Sequence, residues 1–128
     1  MYTAIVLTDS SRDQLLEKMI NFLPSNWEIV CHHHTINLGG VSEKHKHLLG
    51  KKFTLIVKEI GFSDKAVAVS AFCDEIKSEN KIPHITLAIN PTTGGKPKDS
   101  NEIKDWFSLK GFVDMLTVEG ELKEIGHE

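Results

Sequence analysis

Most of the chain consists of short β-rich runs separated by turn residues, and a single segment has strong helical periodicity. That segment has apolar residues at helical spacing, namely Leu15, Leu16, Met19, Ile20 and Leu23. Ser10 before this stripe and Pro24 after it are typical start and stop signals, so we predict a helix capped by Ser10. The β-rich runs span residues 2–8, 27–38, 53–60, 66–72, 82–89, 112–118 and 121–125.

The order of these elements predicts the fold class. Residues 61–64 join two runs as a hairpin, residues 41–50 form a polar loop, and Glu119-Gly120 predicts a second hairpin near the C-terminus. Residues 100–107 predict a short helix. The resulting order, β-α-β, β-β, β, short α, β-β, indicates an α+β fold of mostly antiparallel strands. The 128 residues fit one domain, residues 1–128, with enough chain to bury a core.

Two of the β-rich runs contain the same short motif. His33-x-Thr35 and His84-x-Thr86 are each a histidine, one intervening residue and a threonine, followed by an aliphatic residue. Residues two apart in a strand face the same side, so each histidine shares a face with its threonine. The first motif lies in a run of three histidines, and Thr35 selects His33 as its histidine.

Paired imidazoles and hydroxyls suit the cleavage of a phosphodiester. One group must take a proton from the attacking oxygen while another gives a proton to the leaving oxygen, and imidazoles titrate near neutral pH. Hydroxyl groups can donate hydrogen bonds to the charged phosphate oxygens. This scheme requires no metal ion, so we expect no cofactor.

The repeated motif resembles that of the 2H phosphoesterase superfamily, which is named for two His-x-Thr/Ser motifs. The resemblance implies two pseudo-symmetric lobes of mostly antiparallel sheet, with flanking helices around a central cleft that holds both motifs. Members hydrolyse 2′,3′-cyclic phosphates, 1″,2″-cyclic phosphates or 2′–5′ linkages, and some viral members degrade nucleotide second messengers. The two motif histidines lie only 51 positions apart, at 33 and 84, so one lobe must be shortened.

The resemblance also implies roles for the motif residues. His33 and His84 would be the general acid and base, in an order that the sequence leaves open, and Thr35 and Thr86 would hold the phosphate. The substrate would be a small nucleotide, a cyclic oligonucleotide or an RNA end with a 2′,3′-cyclic phosphate. A non-catalytic module that binds nucleotides or RNA ends is the alternative within the same fold.

Three further residues are candidates for substrate contact. Tyr2 begins the strand expected beside the first motif, Lys96 follows Gly94-Gly95 after the second motif, and Trp106 follows that loop. An aromatic ring can stack on a base, and Lys96 or Lys98 can meet a phosphate. The alternative, purely structural interpretation is core packing for Trp106 and a solvent-exposed loop for the lysines.

The net charge and the cysteine content restrict the classes of binding partner and the cellular location that we expect. The net charge of −3 offers no overall positive field for duplex nucleic acid. Cys31 and Cys73 stand alone and are expected to be reduced thiols, and residues 2–8 lack the features of a signal peptide or membrane span. We therefore expect a cytoplasmic monomer without a membrane partner.

The remaining histidines suggest a metal-binding protein as a third possibility. His32, His34, His45 and His47 include His-x-His pairs, which can chelate zinc or copper. No cysteine or carboxylate lies at a regular spacing beside them, so we favour solvent-facing loop histidines. His127 near the C-terminus is expected to have no role.

Overall fold

The computed structural model describes residues 1–113 and 115–126, so His127 lies outside the described residues. Its strands are β1 (Tyr2–Leu7), β2 (Glu28–Ile29), β3 (His33–Leu38), β4 (Lys52–Phe62), β5 (Ala66–Phe72), β6 (His84–Ile89), β7 (Asp105–Ser108) and β8 (Leu116–Ile125). The α-helix in the described residues is α1 (Asp9–Met19), and 3₁₀ turns span Ile20–Phe22, Glu43–Leu48, Pro91–Thr93 and Pro97–Glu102.

Six of the strands form a closed antiparallel barrel in the order β6-β3-β1-β8-β4-β5, and β5 pairs again with β6. The expectation of a two-lobed α+β fold is therefore wrong, because the strands form one continuous sheet that closes on itself. β1 has a pairing partner on each side, β3 and β8, so no open edge separates two lobes. The short strands β2 and β7 pair with β6 and β4.

Alternating side chains from the barrel strands fill its interior. Leu55 of β4, Ile85 and Leu87 of β6, and Leu122 of β8 are all fully buried there. On α1, Leu15 and Met19 are also fully buried, which confirms the predicted helical stripe at these two positions. Burial of such side chains at about 1.5–3 kcal/mol each is the main favourable contribution to the fold.

The start of α1 differs from the prediction. Thr8, not Ser10, is the N-cap, and its Oγ1 accepts a hydrogen bond from the Ser11 backbone N–H at 3.1 Å. The strand β1 ends at Leu7 and the helix begins at Asp9, so the chain turns two residues earlier than the sequence indicates. Ser11 fixes the helix to the barrel, since its hydroxyl accepts a hydrogen bond from Glu119 N at 2.8 Å.

Two predictions near the C-terminus are wrong. The predicted helix over residues 100–107 is a 3₁₀ turn that ends at Glu102, followed by β7. The predicted hairpin around Gly120 is the continuous strand β8. Gly120 has a different role there, because a Cβ at this position would lie 2.6 Å from the Val6 carbonyl oxygen. Glycine at this position allows the close approach of β1. In the sequence, a glycine required for this reason cannot be distinguished from one in a turn.

The outer face of β5 and β6 is also covered. The segment Pro97–Glu102 contacts both strands. Outside the barrel, Ala66, Ala68, Ile89 and Ile103 form a small buried cluster, with Val30 and Trp106 packed against it. This covering segment gives the barrel wall a sheltered outer face, and the candidate site lies there. In the described residues, no helix is long and apolar enough to cross a membrane.

Candidate functional site

The four motif residues lie on one face of two paired strands. β3 pairs with β6 through His34 and Ile85, which are 1% and 0% exposed. The residues that flank this pair point to the opposite, outer face because side chains alternate along a strand. His33, Thr35, His84 and Thr86 accordingly line one cavity of about 400 Å³ on the outside of the barrel wall.

An irregularity in the chain presents the first motif to this cavity. The sequence predicts residues 27–38 as one strand. In the structure, Ile29 pairs with Ala88 and His34 pairs with Ile85, so five residues of advance along this segment correspond to only three along β6. The two extra residues form a break between β2 and β3, where Cys31 has a φ of 42°. Residues two apart in one strand would share a face, but Cys31 is buried in the core whereas His33 is half-buried and lines the cavity, so the prediction of one strand over residues 27–38 is wrong at this break.

His33 has two ring neighbours that restrain its orientation. The Tyr2 ring lies 5.0 Å from the His33 ring, centroid to centroid, at an interplanar angle of 41°. The Nδ1 atoms of His32 and His33 are 2.9 Å apart, so one of them carries the proton that the other accepts. His33 therefore has its Nε2 left for a ligand.

His84 is fixed by the backbone. Its Nδ1 lies 2.8 Å from the Ile82 carbonyl oxygen, and a carbonyl only accepts, so Nδ1–H is the donor. The neutral His84 ring then carries its lone pair on Nε2. A ring with this tautomer can accept a proton at Nε2 and give it up there, which is what a general acid or base requires.

The two threonines differ in their hydrogen bonds. Thr86 Oγ1 lies 3.2 Å from the Pro97 carbonyl oxygen, to which it donates, and 2.8 Å from Ser100 Oγ. Ser100 is 2% exposed, so this pair is sheltered from solvent. Thr35 is half-buried, and its hydroxyl has no hydrogen-bond partner among the described residues. A ligand can use the Thr35 hydroxyl directly, whereas Thr86 must first exchange its bond to Pro97.

Burial shifts the titration of the histidines in the same direction. The pKa of His33 is lowered to about 4 by burial and by the nearby His32, His84 and His34. The pKa of His84 is also lowered by burial, and its bond to the Ile82 carbonyl opposes that shift. The pKa of His34 is lowered to about 4, chiefly by burial. All three rings are thus neutral at pH 7.

These shifts make the stability of the fold depend on pH. A histidine whose pKa is lower in the folded chain than its unfolded value of about 6.5 stabilises the fold above pH 6.5, and this is lost as the pH falls toward about 4. We expect the free energy of unfolding, measured with urea, to decrease between pH 6.5 and pH 5. His34→Gln should reduce that slope, whereas His47→Ala on an exposed turn should not. A constant free energy over this range would contradict the prediction.

The other predicted contact residues lie in three different places. Tyr2 lines the motif cavity, together with Asn80, Asn101, Lys98, Leu38 and Pro97. Lys96 lies outside that lining, at the start of the 3₁₀ turn Pro97–Glu102, where its backbone N–H donates to Asp99 at 2.8 Å. Trp106 lines an adjoining cavity. Asn80 and Asn101 were not predicted to line the site, because an asparagine in a loop has no distinctive sequence pattern.

The histidines outside the two motifs do not converge. His34 is in the core, not in a solvent-facing loop as predicted, and its Nε2–H donates a hydrogen bond to the Ala71 carbonyl oxygen at 2.9 Å. His45 lies 3.2 Å from Ser42 Oγ in the turn Glu43–Leu48. Over residues 1–113 and 115–126, no three His, Cys, Asp or Glu side chains are grouped as ligands for a metal ion. Cys31 and Cys73 are free thiols.

Comparisons with known proteins show a similarity in fold. No family model matches the chain, and no curated protein does. A similar solved structure is the crystal structure of a fungal RNA kinase, with a TM-score of 0.54 and 18% sequence identity. The match covers 94% of this chain and 41% of that one, so the chain spans less than half of the kinase. At this identity the likeness shows that the fold is shared with part of that protein.

Proposed function

We propose that the chain is a 2H-type phosphoesterase that hydrolyses a phosphodiester at an RNA end or in a small nucleotide by two-histidine catalysis. The observation that carries the proposal is that His33, Thr35, His84 and Thr86 line a single cavity. The similar solved structure is that of a fungal RNA kinase, and this favours an RNA end as the substrate class. The scheme is complete with protein groups and does not call for a metal ion.

In the proposed reaction, His33 is the general base and His84 the general acid. His33 takes a proton from a water molecule as the water oxygen bonds to phosphorus. The bond from phosphorus to the leaving ribose oxygen breaks, and His84 gives that oxygen a proton. We assign the roles from the surroundings: burial lowers both pKa values, but the bond from His84 to the Ile82 carbonyl opposes the shift, whereas three other histidines lower the pKa of His33 further.

The phosphate oxygens in this scheme are held by hydroxyl groups and a cation. Thr35 donates directly, and Thr86 turns from the Pro97 carbonyl to the phosphate while Ser100 keeps its bond to Thr86. Lys98 lines the same cavity and supplies a positive charge. Lys96, on the exposed start of the neighbouring turn, is proposed only as a contact at the rim.

The pH dependence of kcat/KM follows from the lowered pKa values. The base must be neutral and the acid protonated, so activity requires a pH above the pKa of His33, which burial lowers to about 4, and the pKa of His84, which burial also lowers, sets the upper limit of the active range. We expect kcat/KM to peak on the acidic side of pH 6.5 and then to fall about tenfold per pH unit. A pH–rate profile measured with a cyclic-phosphate substrate tests this. An optimum above pH 7.5 would show that these two rings do not exchange the protons.

The experiment that tests the proposed function is a turnover assay on EDTA-treated protein. The substrates are nucleoside 2′,3′-cyclic phosphates, an RNA oligomer with a terminal cyclic phosphate, and cyclic di- and trinucleotides. We expect product from a cyclic-phosphate end in the presence of EDTA. Activity that EDTA removes and Mg²⁺ restores would contradict the metal-independent scheme. Binding without product would instead identify a non-catalytic module that recognises nucleotides or RNA ends.

A further inference from the structure

A second cavity adjoins the motif cavity. It has a volume of about 430 Å³, and its lining includes Lys81, Lys104 and Trp106. Asn101 lines both cavities, and Ser100, which lines the second, bonds to Thr86 of the first at 2.8 Å. The two cavities thus adjoin at the segment that carries Ser100 and Asn101. Each volume is within the range of about 300–1,000 Å³ that small-molecule sites occupy.

Trp106 is held in a defined orientation within this lining. Its Nε1–H donates to the Ile103 carbonyl oxygen at 3.2 Å. Its ring also packs over Gly61 of β4, where an added Cβ would lie 2.6 Å from Trp106 Cε3. The indole remains half-buried, so part of its surface is accessible. A ring that is already ordered loses little conformational freedom when a base stacks on it.

The charged groups of the second cavity favour an anionic ligand. Lys81 and Lys104 are exposed, and no carboxylate forms an ion pair with either of them among the described residues. The lining contains one carboxylate, that of Glu102, so cations outnumber anions. Lys98 adds a third cation on the side of the motif cavity. The overall charge of the chain is −3, so this is a local feature.

We infer that the cavity lined by Trp106, Lys81 and Lys104 is a second nucleotide subsite, and that the substrate is an RNA end of at least two nucleotides. This inference rests on the proposed function. The terminal nucleotide lies with its phosphodiester between the two motifs, and the preceding base stacks on Trp106. Asn101, between the cavities, is in position to hydrogen-bond to the connecting sugar–phosphate. Base–aromatic stacking of this kind tolerates any base.

The dependence of kcat/KM on substrate length tests this subsite. We expect kcat/KM to rise by about 5- to 150-fold from a nucleoside 2′,3′-cyclic phosphate to a dinucleotide with the same end, as one stacked base provides. A third nucleotide should add little. The Lys81→Ala, Lys104→Ala double variant should lower the ratio of dinucleotide to mononucleotide kcat/KM. Lys123→Ala, an exposed lysine on β8, is the matched control and should keep the wild-type ratio.

A binding measurement keeps this test independent of turnover. The chain has two tryptophans, so Trp106 is the only one left in the Trp27→Phe variant. A dinucleotide with a terminal phosphate should quench its fluorescence, and the corresponding mononucleotide should not. Equal kcat/KM for one and two nucleotides, with no selective quenching, would overturn the subsite but leave the proposed function intact. No product from either substrate, with quenching retained, would overturn the proposed function alone.

Discussion

Replacement of His84 by alanine should lower turnover of a cyclic-phosphate substrate by about 10²–10⁴-fold, the usual contribution of one general acid or base. His33→Ala should have an effect of similar size. Without His84 the leaving oxygen departs unprotonated, and without His33 the attacking water keeps its proton. Initial rates at the pH optimum measure the loss. Because both groups serve one transition state, the double variant should lose less than the product of the two single losses.

The matched control is His47→Ala, which removes an exposed histidine from the turn Glu43–Leu48. It should retain wild-type turnover. His84 is only 8% exposed, so a second variant, His84→Asn, guards against a folding defect by keeping an N–H near the Ile82 carbonyl. Circular dichroism should show wild-type structure for the inactive variants. Wild-type turnover in either His33→Ala or His84→Ala would refute the mechanism.

Local patterns were sufficient for the parts of the fold that depend on neighbouring residues. The stripe containing Leu15 and Met19 is a helix, residues 2–7 form a strand, and β4 and β5 form the predicted hairpin. β5 is buried on both faces and is an almost continuous apolar run, whereas in the helix the periodicity of apolar side chains reflects which face is buried. The four motif residues share a face for the same reason, since their two-residue spacing matches the alternation of a strand.

The closure of the barrel could not be predicted in this way. It depends on pairing between β1 and β8 and between β5 and β6, whose partners are chosen by long-range packing. Gly120 illustrates the difficulty: a glycine required by the close approach of β1 has the same appearance in the sequence as one in a turn. The expectation of two lobes treated the repeated motif as evidence for two sheets, whereas both motif strands belong to one.

The candidate site was predictable to the same extent. The motif identifies the residues on β3 and β6, but Asn80, Lys98 and Asn101 reach the cavity from irregular segments. The 3₁₀ turn Pro97–Glu102 contacts the outer face of β6 through Thr86. No periodic pattern in the sequence indicates this contact. The three consecutive histidines have different environments that the sequence does not distinguish. His32 is exposed, His33 lines the cavity and His34 is in the core.

Leu87→Ala should have the largest effect on stability, a loss of about 2–5 kcal/mol in the free energy of unfolding. Leu87 is fully buried and lies on β6 directly after Thr86, on the side that faces the barrel core. The substitution removes three carbons and leaves a cavity where strands on both sides of β6 limit relaxation. Urea unfolding at pH 7 measures the change, because the buried histidines are neutral there and the free energy of unfolding no longer varies with their protonation.

Leu38→Ala is the matched control for this measurement. Leu38 is 83% exposed on β3, so its truncation should change the free energy of unfolding by less than about 0.5 kcal/mol. Folded Leu87→Ala protein should keep turnover within a few-fold of wild type below its unfolding transition, because the imidazoles are fixed by the Ile82 carbonyl and the His32 ring. A loss of stability equal to that of Leu38→Ala would mean that β6 does not close a packed barrel. If turnover fell as far as in His84→Ala while the barrel stayed folded, the geometry of the site would depend on core packing beneath β6 as well as on these hydrogen bonds.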